Sequence, residues 1–334
     1  MAMNDVVSAL SSISTGPALT FENLTMIPLL EGGTSSADVF LTPRPDRRRG
    51  NGHPAPRPAA RAGTVDYLLL DDALASGVCE ITEVSARGSV PELRVLNRAD
   101  SPVLIVDGQE LAGAKQNRVV NLTILVAPRS ELTVPVSCVE AGRWAARSRT
   151  FEAAPRAQFA SGRAKRMAQV TVSMKQAGDR ASDQAEVWND IAEKCERLRA
   201  SSPTGAMAAL FVDHAAALDR YVEALQPVAR QVGALFAIGG RFVGMDLFDR
   251  PSTLSRMLPK LVRSVAVDAL DSGNPEDPGP PPQASEFLAA LAKGALHTAP
   301  AVGLGNDVRI TAPGLNGAAL VVESAIVHLM GFSV

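Results

Sequence analysis

The chain has 334 residues, 46% of them hydrophobic and 20% charged, enough to bury the core of one large domain or two ordinary ones. Its net charge of −2 gives the whole molecule no electrostatic bias toward nucleic acid or an anionic membrane. Three cysteines, an odd and sparse set, are not a disulfide framework. The N-terminus lacks the features of a signal peptide, and no stretch has the roughly 18 uninterrupted apolar residues of a membrane span. We therefore expect a cytoplasmic protein with no membrane partner.

The N-terminal part predicts a short helix over residues 4–13, a strand and then a long loop. The strand is "ALTFENLTMIPLL" (18–30), because Phe21, Thr25 and Ile27 favour extended structure. Residues 42–63 contain six arginines and five prolines with almost nothing to bury, which is typical of a disordered loop. The functional alternative for this loop is an arm that binds nucleic acid. The loop lies inside the chain and has no interleaved aromatic residues, which argues against nucleic acid as a partner.

Residues 64–145 predict a series of antiparallel strands, because short apolar or alternating runs follow one another at close spacing with turn residues between them. A short helical turn at "DDALASG" separates the first two runs. The runs are "VDYLLL", "CEITEV", "ELRVLN", "VLIVDG", "VVNLTILVA" and "LTVPVSCVE".

Residues 158–225 change to a helical pattern. Asp183 follows Ser182 at a predicted helix start, and Glu186 is placed to close a capping box onto Asp183. Cys195 falls at helical spacing after Ile191, so we expect it to be a core residue rather than a reactive thiol.

The C-terminal part predicts a hairpin, helices and further strands. Gly239-Gly240 separates two alternating runs over 232–249, a signal for a tight hairpin turn. A helix over 252–270 contains Pro259, which is expected to kink it. A second disordered Pro-rich loop is predicted at 271–283, followed by a short helix and the strands "DVRITAP" and "AALVVESAIVHLMGF". His328 is interpreted as a strand histidine.

These elements predict one α+β unit spanning residues 1–334. Its antiparallel β core is built from strands within 18–145 and 228–334, and a helical segment is inserted over 151–227.

One predicted hairpin, residues 118–140, carries polar residues at its open end. A three-residue loop, 128–130, keeps the apolar faces of the two arms together and places Arg118 opposite Glu140. A loop differing by two residues would keep the same faces in the core.

The segments entering and leaving the hairpin bring ten polar residues into this neighbourhood: Asp107, Glu110, Lys115, Gln116, Asn117, Arg118, Glu140, Arg143, Arg147 and Arg149. A pocket rich in Arg, Lys and amide groups suits phosphate or carboxylate. The candidate catalytic residues are Glu140 as general base and Cys138 as nucleophile. The alternative is a structural corner in which Arg118 neutralises Glu140, Cys138 is an inert buried thiol and Trp144 caps the core.

Familiar catalytic motifs are missing. The chain has no G-x-S-x-G elbow, no P-loop and no G-x-G-x-x-G after a strand. The histidines are scattered and no zinc-binding spacing occurs, so neither a metal site nor a cofactor is predicted.

The chain resembles a bacterial family named for its association with ADP-ribosylglycohydrolases and rhodanese-phosphatases. The most specific segments are "DGQELAGAKQNR" and "PVSCVEAGRW". The resemblance implies ADP-ribose or NAD-derived metabolism without a settled activity. Its polar signature falls on Glu110, Lys115, Gln116, Asn117, Arg118, Cys138, Glu140, Arg143 and Trp144.

The leading hypothesis is binding, with turnover left open, of a nucleotide or sugar-phosphate ligand such as an ADP-ribose derivative. The ligand-binding candidates are Glu110, Lys115, Gln116, Asn117, Arg118, Arg143 and Trp144. The alternative hypothesis is a non-catalytic interaction or scaffold protein with a protein partner. A solvent-open cleft around Arg118, Glu140 and Arg143 would favour the first hypothesis, and mutual saturation of the same groups would favour the second.

Overall fold

The computed structural model describes residues 2–32, 65–85, 88–273, 278–280 and 283–334. Helices in these residues are α1 (Ala2–Ser11), α2 (Leu70–Ala75), α3 (Ala160–Ala177), α4 (Gln184–Leu198), α5 (Ala208–Val212), α6 (Ala215–Ala224), α7 (Pro251–Asp271) and α8 (Ala284–Ala292). The strands of the N-terminal half are β1 (Ile13–Thr15), β2 (Leu19–Phe21), β3 (Leu24–Glu31), β4 (Leu68–Leu69), β5 (Cys79–Glu83), β6 (Glu92–Asn97), β7 (Val103–Ile105), β8 (Gln109–Gly113), β9 (Arg118–Val120), β10 (Ile124–Val126), β11 (Ser130–Cys138) and β12 (Phe151–Ala157). Those of the C-terminal half are β13 (Gln231–Ile238), β14 (Arg241–Phe248), β15 (Ala295–Pro300), β16 (Asn306–Ala312), β17 (Leu315–Val322) and β18 (Ala325–Ser333).

The larger sheet joins the two ends of the chain. Its antiparallel order is β1-β3-β13-β14-β18-β17-β16-β15, with β2 paired to β3. Helices α3 and α7 pack on one face around Met257 and Leu261, whereas α1 and α8 cover the other face around Leu10 and Phe287. Burial of apolar residues on both faces explains why strands such as β13 are apolar along nearly their whole length.

A second β layer comes from the middle of the chain. It consists of a six-stranded sheet, β12-β8-β9-β11-β6-β5, and a three-stranded sheet, β10-β7-β4. A separate apolar core lies between these sheets and includes Ile81, Val95, Ile105 and Val134. All named strand pairs are antiparallel except β4 with β7. The predicted α+β class with an antiparallel sheet core is therefore confirmed.

The predicted hairpin over 118–140 does not form as one continuous pair. Strand β10 pairs with β7, while β11 pairs first with β6 and only then with β9. Cys138 is the cross-strand partner of Arg118, so the predicted pairing of Arg118 with Glu140 is wrong. The observed register differs by two residues and keeps the same faces together. Apolar alternation could not select among these partners, because β9 and β10 are buried at every position.

The predicted helical segment begins later than residue 151. Strand β12 occupies Phe151–Ala157 and pairs with β8, and the first helix starts at Ala160. Phe151, Ala154 and Ala157 are buried at three-residue spacing because a register irregularity interrupts the pairing, which removes the period-2 signal of a strand. Edge strand β15 was also not predicted.

Two local predictions concern the start of helix α4 and the turn between β13 and β14. Asp183 caps α4 by accepting hydrogen bonds from the N–H groups of Ala185 (2.9 Å) and Glu186 (3.1 Å). The Glu186 carboxylate accepts from Gln169. Gly239 and Gly240 have φ of 54° and 76°, as a tight primed turn requires.

The two segments predicted as disordered loops lie wholly or partly outside the described residues. The Arg- and Pro-rich stretch at 42–63 lies outside the described residues. Of the stretch predicted as disordered at 271–283, residues 274–277 and 281–282 also lie outside them, and Asp271 is the last residue of α7. Within the described part of the chain, every helix is too short or too polar to cross a membrane.

Candidate functional site

Five of the ten polar residues predicted from the sequence meet in one corner of the second β layer. The corner is formed by the β8–β9 turn, the end of β11 and the segment that follows it. Glu140 forms an isolated bridge with Ala206, so the stretch before α5 closes the corner from the other side. We call Glu110, Gln116, Asn117, Glu140 and Arg143 the polar corner.

Glu140 lies at the centre of the polar corner and is 1% exposed. Its Oε2 accepts from Arg143 (2.6 Å) and from the N–H of Asn117 (3.2 Å), and Oε1 accepts from Thr204 (2.8 Å). Burial alone would raise the pKa of Glu140, but the hydrogen bonds from Arg143, Thr204 and Asn117 outweigh burial and lower it. A buried, ionised carboxylate with both oxygens engaged is poorly suited to act as a general base.

Arg143 links the Glu140 carboxylate to three backbone carbonyl groups. Besides Glu140, it donates to the carbonyl oxygens of Ala114 (2.6 Å), Ala145 (3.0 Å) and Gly113 (3.3 Å). Its Nη2 also donates to the side-chain oxygen of Asn117 (3.1 Å). Arg143 is 6% exposed, and of its three guanidinium nitrogens only Nε lacks a hydrogen-bond partner among the described residues, so little capacity is left for a phosphate.

Glu110 is fully buried and is neutralised by a residue that sequence reasoning missed. Arg156 on β12 donates to its Oε2 (2.6 Å) and Oε1 (3.2 Å), and Asn117 adds a third bond (2.9 Å). Glu110 lies in a buried strand, and a buried carboxylate requires a cation nearby. This signal could have predicted a partner such as Arg156.

Trp144 reaches solvent beside the polar corner and lies over Arg118. Arg118 is fully buried, donates from Nη1 to Gln116 (3.2 Å) and lies 3.9 Å from Glu83. Its Nε and Nη2 have no hydrogen-bond partner among the described residues. The Trp144 ring is 48% exposed and lies 5.7 Å from the Arg118 guanidinium carbon and 5.2 Å from Lys115 Nζ. Trp144 thus covers cations rather than capping the apolar core.

Cys138 lies on the buried side of β11. Burial raises the pKa of its thiol to about 11, although the nearby Arg118 acts to lower it. The Sγ lies 3.8 Å from the carbonyl oxygen of Val90. At neutral pH this thiol is protonated, which disfavours its predicted role as a nucleophile.

Asp107 belongs to a different buried network from the polar corner. It accepts from Arg166 (3.0 and 3.1 Å) and Arg163 (3.1 Å), and Arg163 also binds Asp246 (2.7 and 3.0 Å). This network lies between α3 and the larger sheet, where it links the two β layers.

A cleft of about 540 Å³ lies apart from the polar corner. It is bounded by the start of α3, by α4, by the end of α7 and by the β13–β14 hairpin. Sequence reasoning missed this cleft because its lining comes from five segments, including Ser333 of β18, that only the fold brings together. Its apolar wall consists of Phe159, Ile238, Phe242 and Val243.

Charged side chains line the rest of the cleft. Lys165 pairs with Asp190 (2.5 Å), and Lys194 pairs with both Asp268 and Asp271 (2.7 Å each). Further charged residues are Glu193, Arg197 and Arg241.

Arg241 differs from the other cations of the cleft. It is exposed at the start of β14, and no ion pair to its guanidinium is found among the described residues. Lys194 is instead buried, with its Nζ 4.8 Å from the Phe159 ring centre. An anionic ligand in the cleft can therefore reach Arg241 without breaking an existing pair.

No group of three or more His, Cys, Asp or Glu side chains with metal-binding geometry is found in the described ranges.

The fold and these two places define an α+β protein with a largely saturated polar corner and a separate charged cleft. The chain belongs to the family described as the ARG and Rhodanese-Phosphatase-superfamily-associated Protein domain, whose model matches residues 56–332. This is the family that the sequence motifs resemble, and the match includes all of the polar corner. No curated protein and no solved structure matches the chain.

Proposed function

We propose that the protein binds a nucleotide or sugar-phosphate ligand, and that the ligand occupies the cleft between α3, α4, α7 and the β13–β14 hairpin. The carrying observation is the composition of this cleft: apolar side chains such as Val243 and charged side chains line it together, and Arg241 at its edge has no ion-pair partner among the described residues. A volume of about 540 Å³ lies within the usual range for small-molecule sites.

The two walls suit different parts of such a ligand. Ile238 and Val243 offer an apolar surface to a base, and Arg241 and Lys165 offer donors to phosphate oxygens. Carboxylates such as Asp190 and Glu193 can accept hydrogen bonds from ribose hydroxyl groups. The family's association with ARG and rhodanese-phosphatase proteins supports an ADP-ribose derivative as the first ligand to test.

Calorimetric titration of ADP-ribose, NAD and ribose 5-phosphate tests this proposal. We expect Arg241→Ala to weaken binding of all phosphorylated ligands by roughly tenfold or more, the value of one charge-assisted hydrogen bond. Val243→Ala, a change on the apolar side of the cleft, should weaken ADP-ribose and NAD but leave ribose 5-phosphate unchanged. Arg94→Ala, an exposed arginine on β6 that does not line the cleft, is the matched control.

Two outcomes would overturn the cleft assignment. One is the absence of heat with every ligand. The other is binding that survives Arg241→Ala but is lost in Lys115→Ala, which would place the ligand beside Trp144.

A second candidate function is protein interaction through Trp144, and it has its own supporting observation. The polar corner beneath this region is closed by internal hydrogen bonds, while the Trp144 ring is 48% exposed. A rigidly supported, exposed tryptophan is typical of an interface hot spot. Trp144→Ala should then abolish crosslinking to a partner that wild type captures, without changing ADP-ribose binding.

A further inference from the structure

The cleft near Arg241 is lined by equal numbers of cationic and anionic side chains. Its four cations and four carboxylates are Lys165, Lys194, Arg197, Arg241, Asp190, Glu193, Asp268 and Asp271. Because these formal charges sum to zero, the lining as a whole favours neither an anion nor a cation. The charge of a suitable ligand therefore depends on which of these groups lack a partner within the protein.

Three of the four carboxylates are neutralised within the protein. Asp190 accepts from Lys165 (2.5 Å), and Asp268 and Asp271 both accept from Lys194 (2.7 Å each). The side chains of these three aspartates are 11–13% exposed. They hold the walls of the cleft together and have little capacity left for a charged ligand.

Glu193 is the remaining carboxylate, and no hydrogen bond to its side chain is found in the described part of the chain. Arg197 Nη1 lies 3.8 Å from Glu193 Oε2, beyond hydrogen-bond distance. The Arg197 guanidinium donates instead from Nε and Nη2 to Asp271 (2.8 Å each). Since the Glu193 side chain is 69% exposed, a ligand in the cleft can reach its carboxylate without breaking a hydrogen bond.

Glu193 and Arg241 approach the cleft from different elements. Glu193 lies on α4, whereas Arg241 begins β14, and each of these two elements packs against both α3 and α7. The cleft thus offers one accessible carboxylate and one accessible cation at separate places in its lining. This arrangement is complementary to a ligand whose positive and negative groups lie in different parts of the molecule.

We propose that the cleft selects nucleotides that carry a positive charge beside the sugar, as the oxidised form of NAD does, and that Glu193 recognises this charge. The assignment rests on the proposed nucleotide-binding function of the cleft. The diphosphate binds Arg241, and the pyridinium ring lies beside the Glu193 carboxylate. One ribose separates these two groups of the ligand, which matches the placement of the two side chains on separate elements.

The charge of the nicotinamide ring, rather than its size, carries this selectivity. NADH has nearly the same dimensions, but its ring is uncharged, and ADP-ribose lacks the ring altogether. An ion pair with an exposed carboxylate gives a modest gain, about two- to fivefold in affinity. Salt screens such a pair, so the preference should shrink as ionic strength rises from about 0.05 M to about 0.5 M.

Calorimetric titration of NAD and NADH into the full chain tests the inference, with ADP-ribose titrated in parallel. We expect wild type to bind NAD about two- to fivefold more tightly than NADH. Glu193→Gln keeps the size of the side chain and removes its charge, so the two affinities should become equal while ADP-ribose binds no more weakly. Glu193→Lys should reverse the preference and favour NADH.

Glu196→Gln is the matched control, because Glu196 is another exposed glutamate of α4 and does not line the cleft. This variant should keep the wild-type preference for NAD over NADH.

Two results would overturn this inference and leave the proposed function standing. One is equal affinity of wild type for NAD and NADH together with ADP-ribose binding that depends on Arg241. The other is a preference for NAD that survives Glu193→Gln. The absence of binding by all three ligands would overturn the inference and the proposed function together.

Discussion

Glu140 and Arg143 show how a buried charge pair stabilises this chain. Both side chains are at most 6% exposed, and Arg143 also bonds three backbone carbonyl oxygens. Removing the carboxylate would leave a buried guanidinium without its counter-charge. Breaking such a pair typically costs roughly 3–5 kcal/mol.

We therefore predict that Glu140→Ala lowers the free energy of unfolding by about 3 kcal/mol or more in urea denaturation. Glu131→Ala is the control. Glu131 is 54% exposed, and its ion pair with Arg94 is long, at 3.8 Å. That change should cost less than about 1 kcal/mol. Equal effects of the two substitutions would contradict the structural role given to the polar corner.

The same carboxylate predicts a pH dependence of stability. Its pKa is lowered in the folded state by Arg143, Thr204 and Asn117, which outweigh burial, so folding favours the ionised form. The contribution is fully present above the unfolded pKa of about 4.3 and is lost as pH falls through the lower folded value. Between pH 6 and pH 3.5, wild type should lose more unfolding free energy than Glu140→Gln. Parallel pH profiles would exclude this linkage.

The thiols give a third prediction at the residue scale. Burial raises the pKa of both Cys79 and Cys138 to about 11, so roughly one thiol in a thousand is ionised at pH 8. Cys195 is only partly buried. In the native protein, iodoacetamide should modify Cys195 first and Cys138 only on unfolding. Rapid native alkylation of Cys138 would instead support the nucleophile role predicted from sequence.

At the scale of elements, the turn between β13 and β14 depends on two glycines. Gly240 has φ of +76°, and a Cβ placed there would lie 2.8 Å from the carbonyl oxygen of Pro280. Gly77 has a similar φ of +73°, but nothing lies within 4 Å of its added Cβ.

This pair separates backbone strain from crowding. Gly77→Ala should cost about 1 kcal/mol, the usual penalty for a left-handed non-glycine residue. Gly240→Ala should cost clearly more, because Pro280 must also move. Thermal unfolding of both variants measures the difference, and an equal loss in melting temperature would argue against the contact with Pro280.

Local signals in the sequence were sufficient to predict several elements. The β13–β14 hairpin follows from Gly239-Gly240, and the start of α4 follows from Asp183, because each signal lies within a few residues of the structure it specifies. Strand β12 lacked such a signal since its pairing is irregular. The predicted pairing of Arg118 with Glu140 was wrong because the register depends on which of several buried strands pair with each other.

The neighbourhood of the candidate site was predictable only in part. Residues close in sequence to the β9–β11 pair, such as Asn117 and Arg143, do meet at the polar corner. The groups that saturate it, Arg156 and Thr204, come from later in the chain and could not be placed without the fold. The cleft is missed for the same reason.

At the scale of the whole molecule, the Arg- and Pro-rich segment provides a test of its predicted disorder. Residues 42–63 offer little apolar surface to a core, and the closure entropy of a long loop depends only weakly on its length. Replacing residues 44–61 by a short Gly-Ser link should leave the melting temperature nearly unchanged. A large drop would show that this segment packs on the remainder of the protein.

Strand β3 has a consequence for how this protein is made. Seven of its eight residues are buried, and it pairs with β13, about 200 residues later in the chain. At roughly 5–20 residues per second, a ribosome takes on the order of 10–40 s to deliver that partner. During this interval "LTMIPLL" has its local partners β1 and β2 but lacks β13, so completion of the larger sheet depends on non-local contacts and is slow. Exposure of this apolar segment until the C-terminal half emerges makes the nascent chain prone to aggregation.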